Sequence, residues 1–120
     1  MKIISFGWTA PAISVKRKHC TRRNWKDSYA ESFHKGDVCQ AYDKSPRCHG
    51  NRMTLIRLTA DPGKEPERDI PDEDWENEGF AYLTEIGAKV NGLEPVALWD
   101  QWKRSPDSSW VIRFEYLEEM

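Results

Sequence analysis

A ten-residue segment near the start of the chain concentrates side chains that bind anions or assist group transfer. Residues 16–25 read Lys-Arg-Lys-His-Cys-Thr-Arg-Arg-Asn-Trp and contain five cations, a threonine hydroxyl and an indole. Lys and Arg bind phosphates and polar carbonyl groups, and an indole offers a flat apolar surface on which a base can stack. The segment therefore predicts a site for a phosphate or a polar carbonyl group beside an aromatic platform.

The expected secondary structure brings three of these side chains to one cleft. Thr9-Ala10-Pro11 has the start signals of a helix that continues to about Lys18, and an extended segment begins near Cys20. Because side chains alternate along a strand, Thr21 and Arg23 share one face and Arg22 points to the other. Lys18 can turn from the end of the helix toward the face that carries Thr21.

A purely structural interpretation of the same segment is also open. Cations near the C-terminus of a helix offset its dipole, and threonine is a common strand residue. Composition alone favours this structural interpretation over a binding site.

A resemblance to a known family changes that balance. Lys18 to Trp25 resembles the Lys-x-x-Thr-x-Arg signature of the ASCH family, which belongs to the PUA-like superfamily. The resemblance extends, in order, to Lys35-Gly36-Asp37-Val38, Glu78-Gly79-Phe80 and the stretch from Trp110 to Tyr116, and so covers nearly the whole chain. Many relatives have glycine two residues before the signature lysine. Lys16 stands there in this chain, which predicts an ordinary helical turn and a more basic pocket mouth.

The resemblance implies a fold and an activity. It implies one ASCH-like domain over residues 1–120, with a PUA-like small β-barrel or curled, mostly antiparallel sheet and flanking helices. Members of the family bind RNA or nucleic-acid components, and some small bacterial members are amidohydrolases that deacylate N4-acetylcytidine. Carried over, Thr21 is the nucleophile, Lys18 activates it, and Glu78 handles water. Two alternatives stay open: a non-catalytic RNA or DNA reader, and a ribonuclease in which Lys18 and Glu78 act as acid and base.

The neighbouring residues fit this chemistry. A threonine hydroxyl needs a nearby base before it can attack, and adjacent arginines help to keep a lysine neutral. The expected ligand-binding residues are Arg17, Arg22, Arg23, Trp25 and Trp75. The other four tryptophans are expected to be core aromatics: Trp8, Trp99, Trp102 and Trp110.

The rest of the sequence predicts an α+β domain. Apolar alternation, turn residues and helical spacing give strands at Lys2–Phe6, Val38–Tyr42, Met53–Ala60 (with a bulge) and Trp110–Tyr116, and helices at Tyr82–Lys89 and Pro95–Lys103. Residues 61–76 are acidic and contain three prolines, so they predict a surface loop that leads into a short helix at Pro71–Asp74. Strands at both ends, with helices between, favour a small, mostly antiparallel sheet.

Charge and composition restrict the partners. Residues 1–60 carry twelve Lys or Arg and four Asp or Glu, whereas residues 61–120 carry six and sixteen. This asymmetry predicts either a nucleic-acid surface on the first half or pairing of charges between the halves. Cys20, Cys39 and Cys48 are irregularly spaced, so neither a disulfide set nor a metal site is expected. We expect a cytoplasmic protein without a cofactor that binds RNA, single-stranded nucleic acid or a modified nucleoside.

Overall fold

The protein has a mixed α+β fold with short helices. The computed structural model describes residues 1–117. Its strands are β1 (Lys2–Ser5), β2 (Cys20–Arg23), β3 (Val38–Tyr42), β4 (Arg52–Leu58), β5 (Gly63–Pro66) and β6 (Ser108–Tyr116). Its α-helices are α1 (Ala10–Ser14), α2 (Asp27–Ala30), α3 (Asp74–Asn77), α4 (Phe80–Glu85) and α5 (Pro95–Lys103), and single 3₁₀ turns lie at Gly7–Thr9, Pro46–Cys48 and Glu67–Asp69. None of the helices within residues 1–117 combines the length and the hydropathy that a membrane-spanning helix needs.

The strands form one strongly curled, half-barrel sheet. Its order is β1-β3-β4-β6-β2, and β5 also pairs with β6. The β1–β3 pair is parallel, and the other pairs are antiparallel. This architecture confirms the expected fold class, an α+β domain with a curled, mostly antiparallel sheet and flanking helices.

Strand β6 lies between β4 and β2 in the sheet and also pairs with β5. Its apolar side chains Trp110, Ile112 and Phe114 are buried, as their alternation predicts, but Val111 on the opposite face is buried as well. The strand starts two residues before Trp110 because Ser108 and Ser109 pair with Pro66 and Glu65 of β5. Part of the segment 61–76, expected to be a loop, is therefore a strand, and the helix expected at Pro71–Asp74 begins instead at Asp74. The partner of β5 lies more than forty residues later in the sequence, so local patterns give no sign of it.

The bulge expected in the fourth strand is present. Ala41 pairs with Thr54, but the next residue, Tyr42, pairs with Arg52, which leaves Met53 outside the register. This bulge lies at Met53, before the change of apolar period between Leu55 and Ile56, and the register is regular from Thr54 to Arg57. The change of period seen in the sequence is therefore not caused by the bulge, because Leu55 is only half-buried on the face opposite Ile56.

Helix α1 ends earlier than the sequence predicts. It stops at Ser14, and Lys16 adopts the left-handed conformation with φ of 61°. The N–H of Lys16 donates to Ile13 O, and that of Arg17 donates to Ala12 O, which together form a Schellman end. The expectation of an ordinary helical turn at Lys16 is wrong, because the lysine takes a conformation that glycine favours. The early end turns the chain inward, so Lys18 enters the interior.

The interior contains two apolar clusters. The first cluster packs the sheet against α1 and α2 and includes Phe6, Ile56 and Phe114. The second cluster joins α4 and α5 through Phe80 and Trp99. The space where they meet is the candidate site.

Candidate functional site

A pocket of about 420 Å³ lies between the two apolar clusters. Volumes of this size suit one small ligand. Five residues that the sequence singles out line it: Lys18, Thr21, Arg22, Arg23 and Glu78. The rest of its lining includes an apolar wall of Phe6, Phe80, Val90, Leu98 and Trp102, and a mouth that contains Trp8, Lys44 and Ser45.

A buried ion pair stands in this pocket. The Lys18 side chain is 1% exposed, and its Nζ donates to Glu78 Oε1 at 3.0 Å and to Glu78 O at 2.8 Å. Two hydrogen bonds hold the backbone on either side of this lysine in place. The Tyr116 hydroxyl donates to Lys18 O, and the His19 N–H donates to Asn77 O at 2.7 Å. Removing two charges from water is costly, so such a pair in a pocket marks a candidate site of chemistry.

The ion pair continues into a chain of alternating charges. Arg22 Nη1 donates to Glu78 Oε2 at 2.7 Å, and Arg22 Nη2 donates to Asp74 Oδ2 at 2.8 Å. Arg113 completes the chain with two hydrogen bonds to Asp74, each of 2.9 Å. Both oxygens of the Glu78 carboxylate are thus held by cations, which fixes its orientation toward the pocket.

Gly79 explains how Glu78 reaches this position. It has φ of 89° and joins α3 to α4, and a Cβ there would lie 2.5 Å from the Cβ of Ala12 in α1. Only glycine satisfies both the backbone conformation and the close approach. The Glu-Gly-Phe segment therefore places a carboxylate and Phe80 in the pocket at a tight contact with α1.

Thr21 and Arg23 share one face of β2, as strand alternation predicts. Arg23 Nε donates to Thr21 Oγ1 at 3.0 Å, and both residues line the pocket. A guanidinium N–H aimed at this oxygen stabilises negative charge as it develops on the hydroxyl. Lys18 Nζ donates to Glu78 rather than to Thr21 within the described residues.

The thiol next to Thr21 does not compete as a nucleophile. Cys20 is fully buried, and its Sγ donates to Glu78 Oε2 at 3.4 Å. Burial, followed by the negative charge of Glu78, raises the pKa of the Cys20 thiol well above its usual range. Since the thiolate is the reactive form, this cysteine is inert near neutral pH.

Three expected ligand-binding residues lie outside the pocket lining. Arg17 forms ion pairs with Glu76 at 2.8 Å and Glu85 at 2.6 Å on the surface. Trp25 stacks on Phe33 beside the first apolar cluster. Trp75 packs edge-on against Trp99 in the second. Their sequence positions are close to the signature motifs, but their side chains complete surface pairs and the core.

The structure corrects the assignment of one tryptophan and adds pocket residues. Trp8 was expected in the core, but its side chain is 60% exposed at the pocket mouth. It lies in the 3₁₀ turn Gly7–Thr9 between β1 and α1, and connecting turns of this kind lie on the surface. Trp102 also lines the pocket, whereas Trp99 and Trp110 are buried as expected. The distant wall residues, such as Leu98, carry no sequence signal of a pocket.

The two oppositely charged halves of the chain pair with each other around the site. Arg17, Lys18 and Arg22 each form an ion pair with a carboxylate of residues 74–85. Three of the twelve cations of residues 1–60 are therefore used to join the segment 17–22 to residues 74–85, which include α3 and α4.

The charge chain predicts a loss of stability in acid. Burial alone would raise the pKa of Asp74, but hydrogen bonds from Arg113, Arg22 and Asn77 outweigh it and lower this pKa from 3.8 to about 2. A folded-state pKa below the unfolded value stabilises the protein above pH 3.8, by about 2 kcal/mol, and this contribution is lost as the pH falls toward 2.

The measurement is the free energy of unfolding as a function of pH, for the wild type and Asp74→Asn. We expect the decline between pH 3.8 and 2 to be shallower in the variant, which has no carboxyl group to titrate. Equal declines in the two proteins would contradict this role of Asp74.

Comparisons with known proteins bear on the fold. No protein-family model matches the chain, and no curated protein matches it. Among solved structures, the chain is similar to the crystal structure of protein EF3133 from Enterococcus faecalis, described with the family model DUF984. The TM-score is 0.61 at 16% identity, and the alignment covers 97% of this chain and 79% of that one. At this identity the likeness shows that the two proteins share a fold.

Proposed function

We propose that the protein is an ASCH-type member of the PUA-like superfamily that binds a modified nucleoside and hydrolyses the acyl group of N4-acetylcytidine. The observation that carries the proposal is the Thr21 hydroxyl, which lines the pocket, accepts a hydrogen bond from Arg23 at 3.0 Å, and shares the pocket with the Lys18–Glu78 ion pair. A hydroxyl, an amine and a carboxylate in one pocket are the groups that amide hydrolysis through a covalent intermediate requires.

The shape of the pocket supports a nucleobase as the ligand. Its apolar wall, including Phe80 and Trp102, accommodates a flat ring, and the exposed indole of Trp8 offers a stacking surface at the mouth. The reactive groups are in the buried part of the pocket, since Lys18, Thr21 and Glu78 are each at most 4% exposed. A base that enters past Trp8 therefore presents its exocyclic N4 group to Thr21.

Acylation follows from these groups. A proton moves from the Lys18 ammonium to the Glu78 carboxylate, which leaves a neutral amine. Thr21 Oγ1 attacks the acyl carbonyl carbon while its proton passes to that amine, and the N–H of Arg23 stabilises the negative charge that develops on Oγ1 as the proton leaves. The π electrons of the carbonyl move to its oxygen, which carries the negative charge of the tetrahedral intermediate. The bond from the carbonyl carbon to N4 then breaks, and Lys18 returns the proton to N4. The products of this step are cytidine and an ester on Thr21.

Deacylation restores the enzyme. The proton on Glu78 returns to Lys18, and the Glu78 carboxylate then removes a proton from a water molecule as the water attacks the ester carbon. The bond to Thr21 Oγ1 breaks, and this oxygen takes the proton from Glu78. The acid is released, and the ion pair between Lys18 and Glu78 forms again.

A non-catalytic reader is the second candidate, and one observation favours it. Lys18 Nζ is held by Glu78, so no base among residues 1–117 contacts the Thr21 hydroxyl. In a reader, Thr21 and Arg23 donate to the edge of the base without turnover. A ribonuclease that uses Lys18 and Glu78 as separate acid and base has less support, because these two groups pair with each other.

Replacing Trp8 tests the nucleoside pocket. We expect Trp8→Ala to weaken binding of N4-acetylcytidine about fivefold to a hundredfold, because stacking on an aromatic side chain contributes about 1–3 kcal/mol. The stability of the fold should change little, since Trp8 is 60% exposed. Isothermal titration calorimetry measures the affinity, and Val96→Ala, which removes an exposed apolar side chain that does not line the pocket, is the control. Unchanged affinity in Trp8→Ala would exclude this indole from the binding surface.

A further inference from the structure

The pocket has more positive than negative charge on its lining. Four cations line it, Lys18, Arg22, Arg23 and Lys44, against the single carboxylate of Glu78. The whole chain has a net charge of −2, so the excess is local to this pocket. Such a pocket attracts a ligand that carries negative charge.

Most of the positive charge inside the pocket is already engaged. Lys18 and Arg22 are paired with Glu78, and Arg23 donates to Thr21. Lys44 differs: it is exposed at the mouth, and it forms no ion pair with any carboxylate of residues 1–117. Its charge acts on the neighbouring Asp43 carboxylate, but without an ion pair or hydrogen bond of its side chain to any of residues 1–117 its ammonium group can meet a charged group on the ligand.

The hairpin that carries Lys44 is closed by its own hydrogen bonds. Asp43 Oδ1 accepts the N–H groups of Lys44 and Asn51, each at 2.7 Å, and the Gly50 N–H donates to Ser45 O at 3.0 Å. The carboxylate of Asp43 thus serves the backbone of the hairpin, and these backbone hydrogen bonds lower its pKa. Arg47 follows in the 3₁₀ turn and is exposed. Residues 44–49 therefore present cations, and no carboxylate, on a preformed loop.

The hairpin lies where we expect the phosphate end of a bound nucleotide. The groups that react with N4 lie at the buried end of the pocket, whereas Trp8 and Lys44 lie at its exposed mouth. In a nucleotide the sugar phosphate is attached at the side of the base away from N4. A base held against Trp8 with N4 inward therefore directs its phosphate toward Lys44.

We propose that residues 44–49 form a phosphate subsite at the pocket mouth, so that the ligand is a phosphorylated nucleoside whose phosphate lies against Lys44 and Arg47. This inference rests on the nucleoside pocket proposed above and adds the charge of the ligand. The phosphate can belong to a free mononucleotide or to an RNA strand, and the same experiment separates these sources.

The test compares four probes by isothermal titration calorimetry: cytidine, cytidine 5′-monophosphate, a short cytidine-containing RNA and inorganic phosphate. We expect the monophosphate to bind at least about tenfold more tightly than cytidine, because hydrogen bonds to a charged group are strong. Added salt should lower the affinity for the monophosphate and leave the affinity for cytidine unchanged. If the RNA binds much more tightly than the monophosphate, an RNA strand is the natural source of the phosphate. If the RNA and the monophosphate bind with equal affinity, the mononucleotide is the natural source.

Variants locate the phosphate. Lys44→Gln with Arg47→Gln should remove the preference for the monophosphate and keep the affinity for cytidine, whereas Lys89→Gln, an exposed lysine outside the pocket lining, should change neither. Equal affinities of the wild type for cytidine and its monophosphate would overturn the phosphate subsite and leave the nucleoside pocket intact. A preference that survives the double substitution would overturn the assignment to this hairpin. If neither cytidine nor its monophosphate binds, the nucleoside pocket itself is wrong.

Discussion

Replacing Thr21 with alanine is expected to reduce hydrolysis of N4-acetylcytidine by several orders of magnitude and to leave its binding almost unchanged. The hydroxyl forms and breaks a covalent bond in the proposed reaction, so no neighbouring group can substitute for it. The nearest alternative, the thiol of Cys20, is buried and its raised pKa keeps it neutral. Steady-state release of acetate, together with calorimetric binding, measures the two effects separately.

Serine at this position is the matched control. Thr21→Ser keeps a hydroxyl on the same face of β2, within reach of Arg23, and should retain measurable turnover. In a non-catalytic reader the hydroxyl supplies one hydrogen bond, and its loss weakens binding by only about 0.5–1.5 kcal/mol. An alanine variant that still releases acetate at the wild-type rate would exclude Thr21 as the nucleophile.

Replacing Lys18 with methionine is expected to lower the free energy of unfolding by about 3–5 kcal/mol. Methionine preserves most of the side-chain volume, so the effect reports the lost charge rather than a cavity. Without Lys18, the carboxylate of Glu78 keeps Arg22 as a partner but loses its pair on Oε1, and the Glu78 carbonyl oxygen loses a donor. Glu78 Oε1 and the Glu78 carbonyl oxygen then each lack a hydrogen-bond donor while buried, and leaving buried acceptors without a donor destabilises the fold.

Chemical denaturation measures this loss, and two further variants interpret it. Lys18→Met combined with Glu78→Gln removes the isolated charge and should recover part of the stability. Arg57→Ala breaks a surface pair with Glu115, in which both side chains are nearly half exposed, and should cost at most about 1 kcal/mol. A loss in Lys18→Met as small as that in Arg57→Ala would show that the buried pair contributes little to the fold.

Local sequence patterns predict the elements whose signals lie within a few residues. The bounds of β3 and α5 agree with the expected Val38–Tyr42 and Pro95–Lys103, because alternation, a turn before the strand and a proline at the helix start are local features. Strand β5 is different, since it is a strand only because β6 pairs with it. Helix α4 ends at Glu85, before the expected Lys89, because Gly87 takes a left-handed conformation with φ of 68°.

In the candidate site, too, local sequence patterns predict some contacts and long-range pairing determines the others. Alternation along β2 correctly predicts that Thr21 and Arg23 share a face, because this depends on the strand alone. The contact between Lys18 and Glu78 joins residues sixty positions apart, and only the order of motifs in the family resemblance connects them in the sequence. The exposure of Trp8 depends on how the pocket mouth is built from separate segments. Neither composition nor spacing carries that information.

The most direct test of the proposed activity is to incubate the wild-type protein with N4-acetylcytidine and to follow cytidine and acetate by chromatography, at neutral and mildly alkaline pH. We expect equal amounts of cytidine and acetate, formed over many turnovers, and no product with Thr21→Ala. Absence of both products with wild-type protein that is folded and binds RNA would contradict the amidohydrolase proposal and favour the reader.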